Sequence, residues 1–347
     1  MSDNSLAEWQ SAATKLNIEG RAFINGRRMD ALSGETRPTN NPANSKPIAE
    51  VAVCGIEDAD QAVTKARAAF ESGAWSNVAP ADRKMVLVSW AELIQQHTEE
   101  LALLESLDVG KPISDTSGID VPSAVRTIRW SGEAIDKVYD EISPTPANCL
   151  ALVRRLPLGV VAAIVPWNFP LSTTAWKLAP SLATGNSVIL KPASNTPLTG
   201  IRIAELATEA GLPDGVLQVL PGPGGSLGKH LAMHMDIDGL TFTGSTPAAF
   251  AQSSATKVVA ILVRLATGRL RPLSLPIRIR PEWASTTITL SGVWPAALPP
   301  KSPATTEKTK QRQIDGISGT VGNLRVNRSE TTPNGRVETP CHAGRLT

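Results

Sequence analysis

The chain of 347 residues is 41% hydrophobic and 19% charged with a net charge of +2, which excludes collagen, coiled coil and wholly disordered chains and fits a soluble globular protein of about two domains. The near-neutral total hides a division: residues 1–246 hold 20 Lys and Arg against 27 Asp and Glu, and residues 247–347 hold 14 against 5, so the two parts stand at −7 and +9. Cys54, Cys149 and Cys341 are widely spaced, which argues against a disulfide framework or a zinc site and fits a reducing compartment.

The first residues lack a basic flank and an apolar run, and no stretch of 18 apolar residues occurs, so a cytoplasmic protein is expected. Asn25-Gly26 between short extended runs predicts a β-hairpin. Apolar residues at Ala59, Ala62, Val63, Ala66, Ala69 and Phe70 predict a helix that Gly73 ends, and a second helix is predicted from about Pro80 to Asp108. Four apolar runs then begin at Val160, Ser187, Val216 and Gly239, separated by 27, 29 and 23 residues, with helix-capable stretches Ser172–Thr184, Pro197–Ala210 and Gly225–His234 between them. This repeat specifies βαβ units, hence an α/β fold with a parallel sheet and crossover helices.

In such a sheet, ligands bind beyond the carboxyl ends of the strands. Pro221-Gly222-Pro223-Gly224-Gly225-Ser226-Leu227-Gly228 follows the third run and Thr243-Gly244-Ser245-Thr246 the fourth. Glycines there let a backbone approach a ligand, and helix-start N–H groups favour phosphate, although positions 222, 224 and 228 do not match the usual dinucleotide fingerprint. His230 and His234 stand at i and i+4 on the last helical stretch; with no third ligand apparent, they read as solvated helix histidines and no metal is expected.

Pro166-Trp167-Asn168-Phe169-Pro170 follows the first strand and Leu190-Lys191-Pro192-Ala193-Ser194 the second. With Phe242-Thr243-Gly244-Ser245-Thr246, and Glu105-Ser-Leu-Asp108-Val-Gly110-Lys111-Pro112 upstream, these motifs resemble the aldehyde dehydrogenase superfamily over about residues 20–246. Within it the chain looks most like the bacterial enzymes that oxidise aminoaldehydes, such as the γ-glutamyl-γ-aminobutyraldehyde dehydrogenases. The resemblance implies a Rossmann-like NAD(P)-binding domain over 1–246, with an oligomerisation strand segment at about 143–159 through which a homo-oligomer forms. It also implies NAD(P)-dependent oxidation of an aldehyde to a carboxylic acid through a cysteine thioester, with a glutamate activating water for deacylation.

Residue by residue, Asn168 matches the family's oxyanion-hole amide, a contact worth about 3 kcal/mol in well-studied cases. Ile164, Pro166 and Trp167 match positions lining the cofactor channel, and Lys191 matches the lysine that binds the adenosine ribose. Gly222, Gly224, Gly228, Phe242, Thr243, Gly244 and Ser245 match the cofactor-side turns. Ser194 is a departure: many NAD-preferring relatives carry glutamate there, which repels the 2′-phosphate that serine tolerates, so NADP is expected to bind at least as well as NAD.

The resemblance stops at Pro247, after which 41 of the last 101 residues are Arg, Pro, Ser or Thr. Where the family carries a Glu-Leu-Gly-Gly-Lys type motif the chain has Leu265-Ala-Thr-Gly268-Arg269, no glutamate lies between Thr246 and Glu282, and no cysteine between Cys149 and Cys341. Cys341 sits in Thr339-Pro-Cys-His-Ala-Gly344 without the family's context. The change looks like a reading-frame shift, leaving a basic tail over 247–347 that is expected to be disordered. A chain without nucleophile and general base is expected to be inactive alone, acting at most as a nucleotide-binding fragment or regulatory subunit; the scattered charge of the tail gives no specific nucleic-acid partner. Aldehyde substrate is expected to engage only if a catalytic half is supplied.

Overall fold

A computed structural model of the chain describes residues 5–245 and the two-residue strand 260–261. Helix α1 (Leu6–Ala13) is capped by Ser5, whose hydroxyl accepts the Glu8 N–H at 3.4 Å. The predicted hairpin is formed by β1 (Ala22–Ile24) and β2 (Arg27–Met29). Its turn residues Asn25 and Gly26 have φ of 51° and 75°, the left-handed pair that an Asn-Gly turn supplies at low cost. A separate ribbon, β3 (Thr36–Asn40) with β4 (Pro47–Ala52), leads into α2 (Ile56–Glu71). Asp58 holds the start of α2 by accepting the Gly55 and Leu32 N–H groups at 2.8 and 2.9 Å. Ala59, Ala62, Val63 and Ala66 are its buried stripe, and Gly73 follows its end at φ 77°.

The single helix predicted from Pro80 to Asp108 is two, α3 (Pro80–Gln96) and α4 (Thr98–Val109), parted at His97 with φ −94° and ψ 25°. Local polar bonds compete with the helix at this point: the Thr98 hydroxyl donates to the Gln95 carbonyl at 2.6 Å. Gly110 then ends α4 in the left-handed region at φ 84°. A short α5 (Ile113–Asp115) and a π-helical turn, Thr116–Asp120, enter α6 (Val121–Ile135). The expected strand segment at 143–159 is a two-stranded ribbon, β5 (Glu141–Ser143) with β6 (Ala151–Val153), so pairing starts two residues earlier and residues 154–159 lie outside it. Ile142 and Leu152 on this ribbon are exposed.

The βαβ array is β7 (Val160–Ile164), α7 (Pro170–Ala183), β8 (Ser187–Lys191), α8 (Leu198–Glu209), β9 (Leu217–Val219), a π-helical turn Gly224–Gly228, α9 (Lys229–Met233) and β10 (Gly239–Phe242). The helix predicted over Gly225–His234 is therefore this turn plus one short helix. A further strand, β11 (Ala260–Ile261), pairs parallel with β10, so the sheet reaches past residue 246, where the sequence reading ends it. The rest of the predicted tail lies outside the described residues. The sheet order is β11-β10-β7-β8-β9-β1-β2, parallel except for the hairpin, in which Phe23 pairs antiparallel with Val219. The chain thus winds from β7 outward through β8 and β9 and then returns to β10 on the other side of β7. That reversal places a topological switch point between the ends of β7 and β10, where α/β sheets bind ligands.

Both faces of the central strands are buried. Val160, Ala162, Ile164 and Ile189 pack into one core with α2 and α9, while Ala163, Val165, Val188 and Leu190 pack into the other with α3, α4, α6, α7 and α8. The indoles of Trp75 and Trp90 are fully buried in this second core, each donating at 2.8 Å to a carbonyl, that of Leu182 and of Ile203. Among the described residues no helix is long and apolar enough to cross a membrane.

Two carboxyls of α4 reach through this core to the starts of α7 and α8. Glu105 accepts the Leu171 N–H at 3.2 Å and meets the Thr199 hydroxyl at 2.8 Å. Asp108 accepts the Leu198 N–H at 3.0 Å and the Thr39 hydroxyl at 3.0 Å. Burial pushes the Glu105 carboxyl up to about 8 and that of Asp108 up to about 7. Between the ordinary value of 4.5 and about 8, the unfolded chain loses the Glu105 proton that the folded chain keeps. Stability from this group is therefore full below pH 4.5 and falls as pH rises through about 8. Thermal unfolding followed by circular dichroism should show a midpoint that falls across this window, with a shallower fall in Glu105→Gln; equal slopes would exclude Glu105 as the titrating group.

Candidate functional site at the strand ends

The ends of β7, β8 and β10 are tied together by backbone bonds that continue the sheet. The Val165 N–H donates to the Lys191 carbonyl at 3.2 Å and the Thr243 N–H to the Ile164 carbonyl at 3.0 Å. Beyond them, Pro166-Trp167-Asn168-Phe169 crosses to α7 with Trp167, Asn168 and Phe169 exposed. The loop is held at Phe169: its carbonyl accepts the N–H and hydroxyl of Thr173 at 2.9 and 2.7 Å, and Lys111 Nζ stands 3.5 Å from the centre of its ring. Lys111 is itself paired with buried Asp120 at 2.7 Å, so the cation over the ring is fixed from behind. The Asn168 side chain has no hydrogen-bond partner among the described residues, which leaves its amide donors free on a braced loop.

Lys177, on α7, is a buried cation that sequence reasoning passed over. Its Nζ donates to Thr241 Oγ1 on β10 at 3.0 Å, and burial pulls its pKa down to about 8. An ammonium so close to neutral pH at a strand end can hold or release a proton. Its sequence signal was weak because a lysine at that position of an apolar helix reads as an exposed one.

Lys191 closes β8 and is 3% exposed, with burial and the nearby Arg37 guanidinium lowering its pKa to about 8. Its Nζ donates to the Pro192 carbonyl at 2.9 Å and would stand 3.7 Å from a Cβ on Gly224, so it faces the glycine turn. An ammonium carries three donors and this one has a single protein partner among the described residues. A buried cation with unspent donors beside a glycine-rich turn fits an acceptor-rich ligand such as the ribose and phosphates of a dinucleotide. Ser194 Oγ donates to the Gly222 carbonyl at 2.6 Å, tying the two loops, and Arg37 Nη2 donates to the Ser194 carbonyl at 2.5 Å. Arg37 comes from β3, 157 residues upstream in the chain, which is why no local motif revealed it.

The strand ends thus collect Pro166, Trp167, Asn168, Lys191, Ser194, Gly222, Gly224, Gly228, Gly244 and Ser245. The side chains of Ile164 and Phe242 point elsewhere: both are buried in the core shared with α2, because the even face of the strands is covered there. Ile164 reaches the site through backbone only, whereas the edge of the Phe242 ring also lies against Gly244. Thr243 is buried and also contributes its backbone. Gly244 is required by that packing, since a Cβ there would lie 2.5 Å from Phe242 Cζ. Of the cysteines, Cys54 is buried, which raises its pKa and keeps it a thiol, and Cys149 is exposed. Cys341 lies outside the described residues. His230 and His234, read from sequence as solvated, meet a third group, Asp60 of α2, whose Oδ1 is 2.5 and 3.3 Å from their Nε2 atoms. The sequence could not supply this partner, which stands 170 residues before His230.

Comparison with known proteins agrees with the motifs. A model of the aldehyde dehydrogenase family matches residues 29–265, so the match runs on past the point where the motif resemblance ends. NADP/NAD-dependent aldehyde dehydrogenase PuuC of Escherichia coli (strain K12) is 53% identical over 246 residues, covering 71% of this chain and 50% of that protein. The fold superposes with a TM-score of 0.71 on a P. syringae AldA indole-3-acetaldehyde dehydrogenase variant solved with NAD+, 54% identical over 74% of this chain and 52% of that one. It superposes equally, at 0.71, on γ-glutamyl-γ-aminobutyraldehyde dehydrogenase from Burkholderia cenocepacia, 48% identical over 74% of this chain and 53% of that one. The chain therefore spans about half the length of the relatives it matches.

The glycine turn allows a steric test. A Cβ on Gly222 would lie 2.6 Å from the Cys54 carbonyl oxygen and 2.7 Å from Leu227 Cδ2, whereas one on Gly225 would meet nothing within 4 Å. Gly222→Ala should lower stability by about 1–3 kcal/mol and Gly225→Ala by less than about 0.5 kcal/mol, measured by urea unfolding. Equal effects would show that Gly222 is not in close contact.

Proposed function

The chain belongs to the aldehyde dehydrogenase family, and from that premise we propose that residues up to about 246 are the NAD(P)-binding half of an aldehyde-oxidising enzyme. Buried, under-partnered Lys191 against the glycine turn is the observation that carries this reading. Lys191 and the Ser194 hydroxyl would hold the ribose, the turn Gly222–Gly228 the phosphates, and Gly244 and Ser245 the far side of the cofactor. Bound there, the dinucleotide supplies a hydride acceptor. Asn168 would direct its amide donors at the oxyanion that forms when an aldehyde carbonyl is attacked. Pro166 and Trp167 would wall the channel between them. The likeness to aminoaldehyde-oxidising relatives supports an aminoaldehyde as substrate of the complete assembly.

Chemistry in this chain stops at that point. The cysteines with a described environment are a buried thiol and an exposed residue in the loop between β5 and β6, and no glutamate lies between Thr246 and Glu282. We therefore read the chain as inactive alone, working with a partner that contributes nucleophile and general base, and place that association on the exposed apolar ribbon at Ile142 and Leu152. The alternative, a dinucleotide-binding regulatory subunit, rests on the same geometry and differs only in whether turnover is restored.

Calorimetric titration of the full chain with NAD+ and NADP+ tests the cofactor reading. Both should bind, Lys191→Ala should weaken both, and Ser194→Glu should lower NADP+ affinity relative to NAD+, because a carboxylate beside the 2′-phosphate would replace a neutral hydroxyl. An unaltered ratio would rule out Ser194 as the discriminating residue. Aldehyde-dependent NAD(P)H formation by the chain alone should be absent; turnover abolished by Cys341→Ala would overturn the inactive reading.

A further inference from the structure

On the face of the sheet covered by α2 and α9, two imidazoles and a carboxylate converge. His230 lies in α9 and His234 directly after it, with ring centroids 5.5 Å apart and planes at 86°. Asp60 of α2 reaches between them, its Oδ1 at 2.5 Å from His230 Nε2 and 3.3 Å from His234 Nε2. One ligand-capable atom from each of the three lies within 4.8 Å of the others. The His230 and His234 side chains are 27% and 16% exposed, so an ion can enter from solvent while most of each ring remains packed.

We propose that Asp60, His230 and His234 form a binding site for a divalent transition-metal ion, with Zn²⁺ as the reference occupant and water in the fourth position. Two imidazole nitrogens and one carboxylate oxygen are a donor set that suits Zn²⁺ and Co²⁺ and does not suit Mg²⁺ or Ca²⁺, which take oxygen ligands. With metal–ligand bonds of about 2.0–2.1 Å, tetrahedral geometry sets neighbouring donor atoms about 3.3 Å apart. Asp60 and His234 already stand at 3.3 Å; to admit the ion the exposed Asp60 carboxylate withdraws from His230, now at 2.5 Å, and the imidazoles, whose donor atoms lie within 4.8 Å of the others, turn to close the third pair. One bond opposes this. The Asp236 N–H donates to His234 Nδ1 at 3.1 Å, which places the proton of neutral His234 on Nε2. Metal binding at Nε2 moves that proton to Nδ1 and turns the Asp236 N–H toward water, a small cost because Asp236 is exposed. The ion would join α2 to α9, which continues directly from the Gly224–Gly228 turn, and so would fix the far end of that turn. The site does not depend on the proposed cofactor reading.

Untagged full-length chain titrated with Co²⁺, followed by visible absorption, is the test. Binding should saturate at one ion per chain with the absorption of a four-coordinate centre, and one equivalent of Zn²⁺ should displace it. Asp60→Asn and His234→Ala should each weaken binding by about tenfold or more. Zn²⁺ should raise the thermal midpoint of the wild-type chain and leave that of H230A/H234A unchanged. No saturable absorption, or the same titration in H230A/H234A as in wild type, would overturn the proposal; circular dichroism of each variant establishes that it is folded.

Discussion

Much of the structure rests on the two carboxyls that α4 sends through the core. Glu105 and Asp108, one helical turn apart, each accept an N–H at the start of a crossover helix, Leu171 in α7 and Leu198 in α8. Those helices begin where the loops from β7 and β8 end, so the loop carrying Asn168 and the loop that follows Lys191 are both held at their far ends by α4. A carboxyl near a helix start is favoured by the unpaired N–H groups there. Burial acts against the charged form and prevails in both cases, since both groups are raised toward neutral pH. Removing either would leave buried N–H groups without an acceptor, which costs more than the bond itself contributes.

The same segment supplies the brace for the Asn168 loop. Lys111 follows α4, pairs with Asp120 and stands over Phe169, next to Asn168. Glu105, Asp108 and Lys111 therefore form one supporting layer under two loops of the site. The upstream motif that resembles the family is thus a structural support for loops at the strand ends. Arg37 has a similar relation to Ser194, reaching from β3 to its carbonyl.

Three buried or half-buried cations, Lys177, Lys191 and Arg37, lie at the carboxyl ends of the strands or hold a loop there. Lys177 and Lys191 pay for burial with lowered pKa values, both about 8. Titratable groups perturbed in this way cluster at functional sites. On the opposite face, Asp60 is shared between two histidines, and the two clusters are linked through the glycine turn that precedes α9.

Short-range features were legible in the sequence because their causes are local. Asn25-Gly26 made the hairpin turn, Gly73 stands at a helix end, and apolar runs at a regular repeat marked β7 to β10; the strand-end motifs then identified the family. What depends on residues far apart could be settled only by packing: the return of β10 to the side of β7 that creates the switch point, and the docking of the β1–β2 hairpin on β9. The same holds for the inward turn of Ile164 and Phe242, and the meeting of Asp60 with His230 and His234. Hydrophobic periodicity says that a side chain is buried but not which element covers it. Partners more than a hundred residues away, such as those of Arg37 and Asp60, are chosen by the order in which strands pair and the face on which each crossover helix lands.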